Sequence, residues 1–385
     1  MHLERLQLYD YRNFVRTDLA LRTGLSLFLG DNAQGKSNLL EAVHLLATMR
    51  AVWAEADLNL VRRELQTEPA SAARVVGEAV TAAGSIKLEV AIGARPGAHG
   101  PVAHKTVRVN GVPRRTSDAV GKLTAVLFSA DDLEMIGGAP SLRRRNLDLT
   151  LAQLDSKYSV ARSHYERVLL QRNNLLKRIR DSQASRKELE FWDEELCKDG
   201  GVILQRRAST LIELGELVCA IHSSLAAGEE ATLAYLPKIG DHASDLATSS
   251  GVEAGEIMAI ALRQGMSRDI AAGMTLTGPH RDDVVFSLNG HSASAYASRA
   301  QQRTIALSLR LAEAELLKRH RGEWPVLLLD DVLSEMDAVR RSSVLAAIGD
   351  VDQMLVTGTD RDRFPSDLIS GASVYTIHDG AATPA

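Results

Sequence analysis

The sequence predicts an α/β protein in which one discontinuous α/β domain is built from both ends of the chain, with a mainly helical domain inserted in its middle. Three observations predict it. Near the start, the apolar stretch "GLSLFLG" at 24–30 runs into a glycine-rich loop and then a helical pattern. Near the end, "VLLLDD" at 326–331 is a continuous apolar run of the kind buried on both faces of a parallel sheet. Between them, from about residue 131, the texture turns helical, with apolar residues recurring at Tyr158, Ala161, Tyr165, Val168, Leu169, Leu175, Leu176 and Ile179.

Taken in order, "LERLQLYDY" alternates and reads as a strand, and "GLSLFLG" is a short apolar strand. A helix follows over Lys36–Met49, with Leu39, Leu40, Val43 and Leu46 on one side. "ARVVGEAV", "IKLEVAI" and "KTVRVNGVPRR" are strand-like, the last with an Asn110-Gly111 hairpin signal, and "KLTAVLFS" ends another strand near Ser129. The polar "DSQASRK" at 181–187 separates a first helix from a second over about Leu189–Leu225, giving a helical hairpin too short for a long coiled-coil arm. Loops with one short strand come next, then a helix in "VEAGEIMAIALRQGMSRDI". Strand character returns in "GMTLTGPHRDDVVFSLNG", before a long helix over about 300–321. The tail reads as helix at about 337–348 and strands "QMLVTGT" and "ASVYTIH". The expected division is 1–130 plus 275–385 for the α/β domain and 131–274 for the helical insert.

Length and composition bound the rest. A chain of 385 residues is long for one core and suggests two domains. No apolar run is long enough to span a bilayer, and the N-terminus reads as a strand rather than a secretory signal, so no membrane association is expected. The only cysteines are Cys197 and Cys219, as befits a reducing cytoplasm. The net charge of −4 gives no overall signal for nucleic acid, so any such binding rests on local patches.

Chemistry concentrates in two places. "GDNAQGKS" at 30–37 matches the phosphate-binding G-x-x-x-x-G-K-[ST] pattern. Its stretch Gly30, Asp31, Asn32, Ala33, Gln34 and Gly35 should turn backbone N–H groups onto nucleotide phosphates, at the positive end of the following helix. Lys36 should reach the β- and γ-phosphates of ATP, and Ser37 should ligate Mg2+. Asp330, at the end of "VLLLD", suits the same ion through water, and Asp331 could orient or deprotonate the attacking water. Ser298 stands just before a long amphipathic helix and is a good N-cap on structural grounds alone.

Several stretches together resemble one family: "YDYRNF", "GDNAQGKSNLLEAV", "VLFSADDLEMIGGAPSLRRRNLD", "YERVLLQRNNLLK", "GPHRDD", "AQQRT" and "LLLDDVLSEMD". In this order they resemble the RecF family of bacterial recombination mediators over nearly the whole chain. The fold this implies is a P-loop ABC-type ATPase head, related to the heads of structural-maintenance-of-chromosomes (SMC) proteins, with an inserted helical lobe. The resemblance implies a weak, DNA-stimulated ATPase of recombinational repair, replication and the SOS response. It also implies an ATP-dependent homodimer that binds double-stranded and gapped DNA and acts with RecR and RecO to help load RecA. It places Arg12 and Asn13 near the ATP phosphates, Ser298 and Gln301 in a signature motif that meets ATP of the opposite subunit, and Asp337 in a D-loop. One departure stands out. The family usually reads S-Q-G-Q where this chain has Ser298-Arg299-Ala300-Gln301, so a methyl group sits where phosphate should approach backbone. The catalytic position, glutamate in ABC ATPases, is Asp331, which matches the RecF family and suits a slow ATPase used as a switch.

Other readings stay open at single sites. Arg12 in "YRNF" also reads as a solvated arginine in a turn, and His280, Arg281 and Asp282 either couple nucleotide to domain position or form a structural turn. Arg143, Arg144 and Arg145, with Arg172, Lys177, Arg178 and Arg180, read by default as solvated faces, and the resemblance makes them candidates for DNA phosphate contacts. A transporter-type ATPase subunit is the alternative function. It would need a membrane partner and a signature much nearer the phosphate loop.

Overall fold

The structure, a computed structural model, describes the chain except for residues 55, 67–70, 98–99, 241–245, 334–337, 350, 362–363 and 365–368. The chain opens with β1 (His2–Tyr11), β2 (Phe14–Ala20), β3 (Gly24–Leu29) and helix α1 (Lys36–Thr48). Four antiparallel strands follow, β4 (Ala72–Thr81), β5 (Gly84–Gly97), β6 (Gly100–Val109) and β7 (Val112–Arg114), and then β8 (Ala125–Phe128). Numbering only helices of ten or more residues, the middle of the chain holds α2 (Pro140–Leu154), α3 (Ser156–Arg180), α4 (Leu189–Leu225), strand β9 (Ala231–Leu236) and α5 (Gly251–Ala272). After β10 (Asp283–Leu288), β11 (His291–Ser292) and α6 (Arg299–Arg321) come β12 (Val326–Leu329), α7 (Ala338–Ile348), β13 (Gln353–Gly358), β14 (Ser373–His378) and β15 (Ala381–Pro384). Among the described residues no helix is long and apolar enough to cross a membrane.

Two compact units result. The first comprises Met1–Asp132 and Arg310–Ala385, and holds an antiparallel sheet ordered β2-β1-β4-β5-β6-β7 and a second sheet ordered β15-β14-β3-β13-β12-β8. In the second sheet β14, β3, β13, β12 and β8 are all parallel. Its interior strand β12, between β13 and β8, explains the unbroken apolar run: Val326, Leu327, Leu328 and Leu329 are completely buried, each stabilising the fold by about 1.5–3 kcal/mol. Register levels the C-terminal ends of the strands, since Leu29 opposes Gly358 and Leu329 opposes Val356. Buried Gln353 ties the two sheets together. Its side chain accepts from Leu3 N–H and donates to the Leu3 carbonyl, both at 2.8 Å.

The second unit is Leu133–Leu309. The expected hairpin is present as α3 and α4, with α4 running over the predicted residues Leu189–Leu225. Helix α5 lies against α4 at a run of glycines. A methyl group on Gly201 would run into the Gly251 carbonyl and the backbone of Gly255, so backbone meets backbone there. The return boundary needs correcting. Residues 275–309, expected with the α/β domain, belong to this unit, because β10 pairs with β9 and β11 in a separate three-stranded sheet. The strand character expected within 273–290 is confined to its second half, because Pro279–Arg281 form a turn of 3-10 helix and β10 starts at Asp283.

Gly201→Ala tests that close approach. A mid-helix alanine normally stabilises, but here it should cost about 1–3 kcal/mol, because α4 and α5 must separate. Urea unfolding with a stability equal to or above that of the unaltered protein would contradict the packing described.

Candidate nucleotide site

The glycine loop leaves β3 at Gly30 and enters α1 at Lys36. No side chain caps α1, so its first-turn N–H groups are left for an anion. Asp31, Asn32 and Ala33 are exposed, and Ala33 takes a left-handed φ of 67°, which turns the loop backbone over. Lys36 is buried and its Nζ donates to the carbonyls of Gly30 (2.7 Å) and Asp31 (2.9 Å). The ammonium therefore lies inside the loop it would share with a phosphate.

The two distant motifs meet in this unit. Ser37 Oγ donates to Asp330 Oδ1 at 3.0 Å. Thr357, at the end of the intervening strand β13, donates to the same oxygen at 2.8 Å and accepts the Asp331 N–H at 2.9 Å. Burial raises the Asp330 pKa, with Asp331 adding to the effect and the Thr357 and Ser37 hydrogen bonds opposing it. A hydroxyl and a half-hidden carboxylate side by side suit a hard cation that keeps most of its waters, so these residues fit Mg2+. Asp331 takes a left-handed φ of 56° at the strand end.

Two further segments brace the loop. Asn13, after β1, donates from Nδ2 to the Gln34 carbonyl (2.8 Å) and accepts from Asn38 Nδ2 (2.8 Å). The β14–β15 turn also grips it. Asp379 N–H donates to Gln34 Oε1 at 2.6 Å, and Gly380 sits at φ 70° with its Cα so close that any side chain would meet the Asn13 carbonyl. Arg12 is anchored to α1 rather than solvated, its side chain only 19% exposed. Its Nε and Nη2 donate to the two oxygens of Glu41 at 2.8 and 2.9 Å, and Glu41 is fully buried on α1. Tyr11 hydroxyl (3.1 Å) and Trp53 N–H (3.0 Å) complete the Glu41 shell. Sequence reasoning missed Thr357, Glu41 and the Asp379-Gly380 turn. An Asp-Gly pair between two strands and a charged residue inside an apolar helix were the available signals.

The second unit carries the remaining candidates. Ser298 and Gln301 form a reciprocal cap on α6: Ser298 N–H donates to Gln301 Oε1 at 2.9 Å and Gln301 N–H to Ser298 Oγ at 3.3 Å. Ser298, Arg299 and Ala300 are exposed, and Tyr296 beside them is 77% exposed. Asp337 lies outside the described residues. The arginine row is largely structural. Arg143 makes a two-pronged pair with Asp283 (2.8 and 2.9 Å) and also binds the Gly138 carbonyl, while Arg144 donates to the Asp282 carbonyl at 2.6 Å. Burial lowers the Arg144 pKa, as does nearby Arg207. Arg145 is exposed. Arg172 is fully buried against Asp193, Asp269 and Thr275. Lys177, Arg178 and Arg180 are exposed on α3.

"GPHRDD" proves to be the hub of this unit. Buried Arg207 donates to Asp148 (2.7 Å), Asp282 (3.1 Å), the Pro279 carbonyl (2.6 Å) and Tyr158 (3.1 Å), and Tyr235 hydroxyl binds Asp282. Burial raises the Asp282 pKa against the pull of Arg207. His280 accepts from Tyr165 hydroxyl at 2.7 Å on Nδ1 and donates from Nε2 to the Thr275 carbonyl at 2.9 Å, and burial pushes its pKa down to about 4.

Comparison with known proteins agrees with this architecture. The chain matches the family described as RecF/RecN/SMC N terminal domain over residues 2–378. It is 39% identical over 393 residues to the DNA replication and repair protein RecF of Chloroflexus aurantiacus, covering 99% of each chain. With the same protein of Roseiflexus castenholzii it shares 38% over 399 residues, covering 100% of each. A solved structure of the recombination mediator protein RecF with ATP superposes with a TM-score of 0.87 at 30% identity, over 100% of this chain and 97% of that one. An Smc head domain from Pyrococcus furiosus shares the fold alone, with a TM-score of 0.52 at 14% identity over 100% and 96% of the two chains. Fold and matches define the class as the α/β ATPase head common to RecF, RecN and SMC proteins. Within that class, the chain belongs to the RecF family.

Two predictions follow from these contacts. Gly380→Ala should weaken ATP binding roughly tenfold or more, since the turn must withdraw from Asn13 and release Gln34; an unchanged affinity by calorimetry would remove the turn from the site. For His280, the unfolded chain with its usual pKa near 6.5 takes up a proton before the folded one does. The stability it contributes is complete above that pH and is lost as the pH falls toward about 4. Between pH 7 and 5, His280→Gln should lose about 2 kcal/mol less in unfolding free energy than the unaltered protein. Equal losses would show that His280 is protonated without cost.

Proposed function

We propose that the chain is an ATP-dependent DNA-binding switch of replication and recombinational repair. The observation that carries this reading is the bond from Ser37 to Asp330, which unites the phosphate loop with the carboxylate strand. In this reading Gly30–Gly35 wrap the phosphates and Lys36 turns from the loop carbonyls to the β- and γ-phosphates. Ser37 and Asp330 hold Mg2+, which supplies positive charge against the phosphates. Asp331 accepts the proton of the attacking water, and its short side chain makes hydrolysis slow. Arg12, on its Glu41 support, and Asn13 complete the phosphate side.

Ser298 and the exposed start of α6 serve the ATP of a second copy, with Gln301 stiffening the turn. ATP then drives dimerisation, and hydrolysis releases it. Relatives named for DNA replication and repair and a solved RecF structure named for the RecFOR pathway support DNA as ligand and RecO and RecR as partners; double-stranded and gapped DNA and an indirect role with RecA are what the family resemblance adds. Exposed Lys177, Arg178 and Arg180 replace Arg143 and Arg144 as DNA phosphate contacts, alongside Arg145.

Sedimentation with ATP and with ADP tests the switch. The unaltered chain should dimerise with ATP only, Asp331→Asn should stay dimeric for longer because hydrolysis falls about 10²–10⁴-fold, and Ser298→Arg should bind ATP yet remain monomeric. A dimer of Ser298→Arg with ATP would reduce Ser298 to a helix cap. For DNA, replacing Lys177, Arg178 and Arg180 with alanine should flatten the slope of log affinity against log salt by about 0.9 per lost contact on duplex. An unchanged slope would return these residues to a solvated face.

A further inference from the structure

We propose that Thr357 is a positioning residue for ATP hydrolysis, holding both carboxylates at the end of β12 in their working arrangement; this rests on the ATPase reading above. Thr357 is completely buried on β13, the strand between β3, which carries the phosphate loop, and β12. The direction of its two hydrogen bonds is forced. The Asp331 N–H at 2.9 Å can only donate, so the hydroxyl accepts there and gives its single proton to Asp330 Oδ1 at 2.8 Å. The Leu329 carbonyl, at 3.5 Å, is too distant to compete.

Two consequences follow. Ser37 donates to the same Oδ1 at 3.0 Å, so both hydroxyls converge on one oxygen and fix the rotation of the carboxylate that would help hold Mg2+. Asp331 sits at φ 56°, an uncommon conformation for a residue with a side chain, and the bond to its N–H holds the turn that aims its carboxylate. One hydroxyl thus sets the rotation of the first acid and the backbone of the second. A β-branched residue suits the task, because its side-chain torsion is stiff and it packs well in a buried strand. Valine would keep the shape and lose both bonds, whereas serine would keep both bonds and lose a methyl.

The test compares the full-length unaltered chain with Thr357→Val, Thr357→Ser and Thr357→Cys. Three quantities are read: affinity for a fluorescent ATP analogue in EDTA, the Mg2+ concentration giving half-maximal binding, and single-turnover hydrolysis. Thr357→Val should leave affinity in EDTA within about twofold, raise the Mg2+ midpoint about tenfold and slow hydrolysis about 10- to 100-fold. Thr357→Ser should restore the Mg2+ midpoint and the hydrolysis rate to within about threefold. Unaltered Mg2+ dependence and hydrolysis in Thr357→Val, or no recovery in Thr357→Ser, overturns the inference. Should Thr357→Val not fold, Thr357→Cys, whose sulfur is a weak acceptor, is judged by the same shifts. An unaltered chain without Mg2+-dependent ATP binding overturns the ATPase reading and this inference with it. A working unaltered chain with an indifferent Thr357→Val overturns this inference alone.

Discussion

The hydrogen bond from Ser37 to Asp330 joins residues 293 positions apart, and the first unit is built so that it can form. Two loops can share a phosphate and a cation only if their strands end at one level. The parallel pairing of β3, β13 and β12 achieves this by setting Leu29 against Gly358 and Val356 against Leu329. Total burial of β12 then fixes that strand against sliding, because a slip of one residue would reverse every side chain. Gln353, Asn13 and the Asp379-Gly380 turn extend the same constraint to the antiparallel sheet and the C-terminus.

Periodic patterns carried much of this in the sequence itself. Helix α4 was legible from Leu189 to Leu225, and the glycine loop announced both its strand and its helix. Such patterns report which face of an element is buried, but not what a polar side chain meets once buried. Arg143 and Arg172 therefore read as surface cations, although one clasps Asp283 and the other is enclosed by Asp193 and Asp269. Thr357 gave no signal, because threonine is ordinary in a strand and its partners lie on a neighbouring one. The boundary at 275 failed for a similar reason, since strand pairing of β10 with β9 is a non-local choice.

The second unit is organised around charge instead. Arg207 gathers Asp148 and Asp282 out of water, an arrangement that contributes little net stability but is costly to break, by about 3–5 kcal/mol when one partner is removed. Arg143 and Arg144 join it from α2, and His280 and Tyr165 from the other side of the same turn. Such a network favours one arrangement of the unit, as the proposed use of the exposed start of α6 by a second copy would require.

The central claim is that a phosphate loop and a carboxylate strand from opposite ends of the chain form one ATP site. Calorimetric titration of Mg2+·ATP into the unaltered chain and into Lys36→Ala addresses it most directly. The account predicts binding by the former and a loss of roughly 10²-fold or more in the latter, the worth of its charge-assisted hydrogen bonds, with an unchanged circular-dichroism spectrum. Native affinity in a natively folded Lys36→Ala would contradict it.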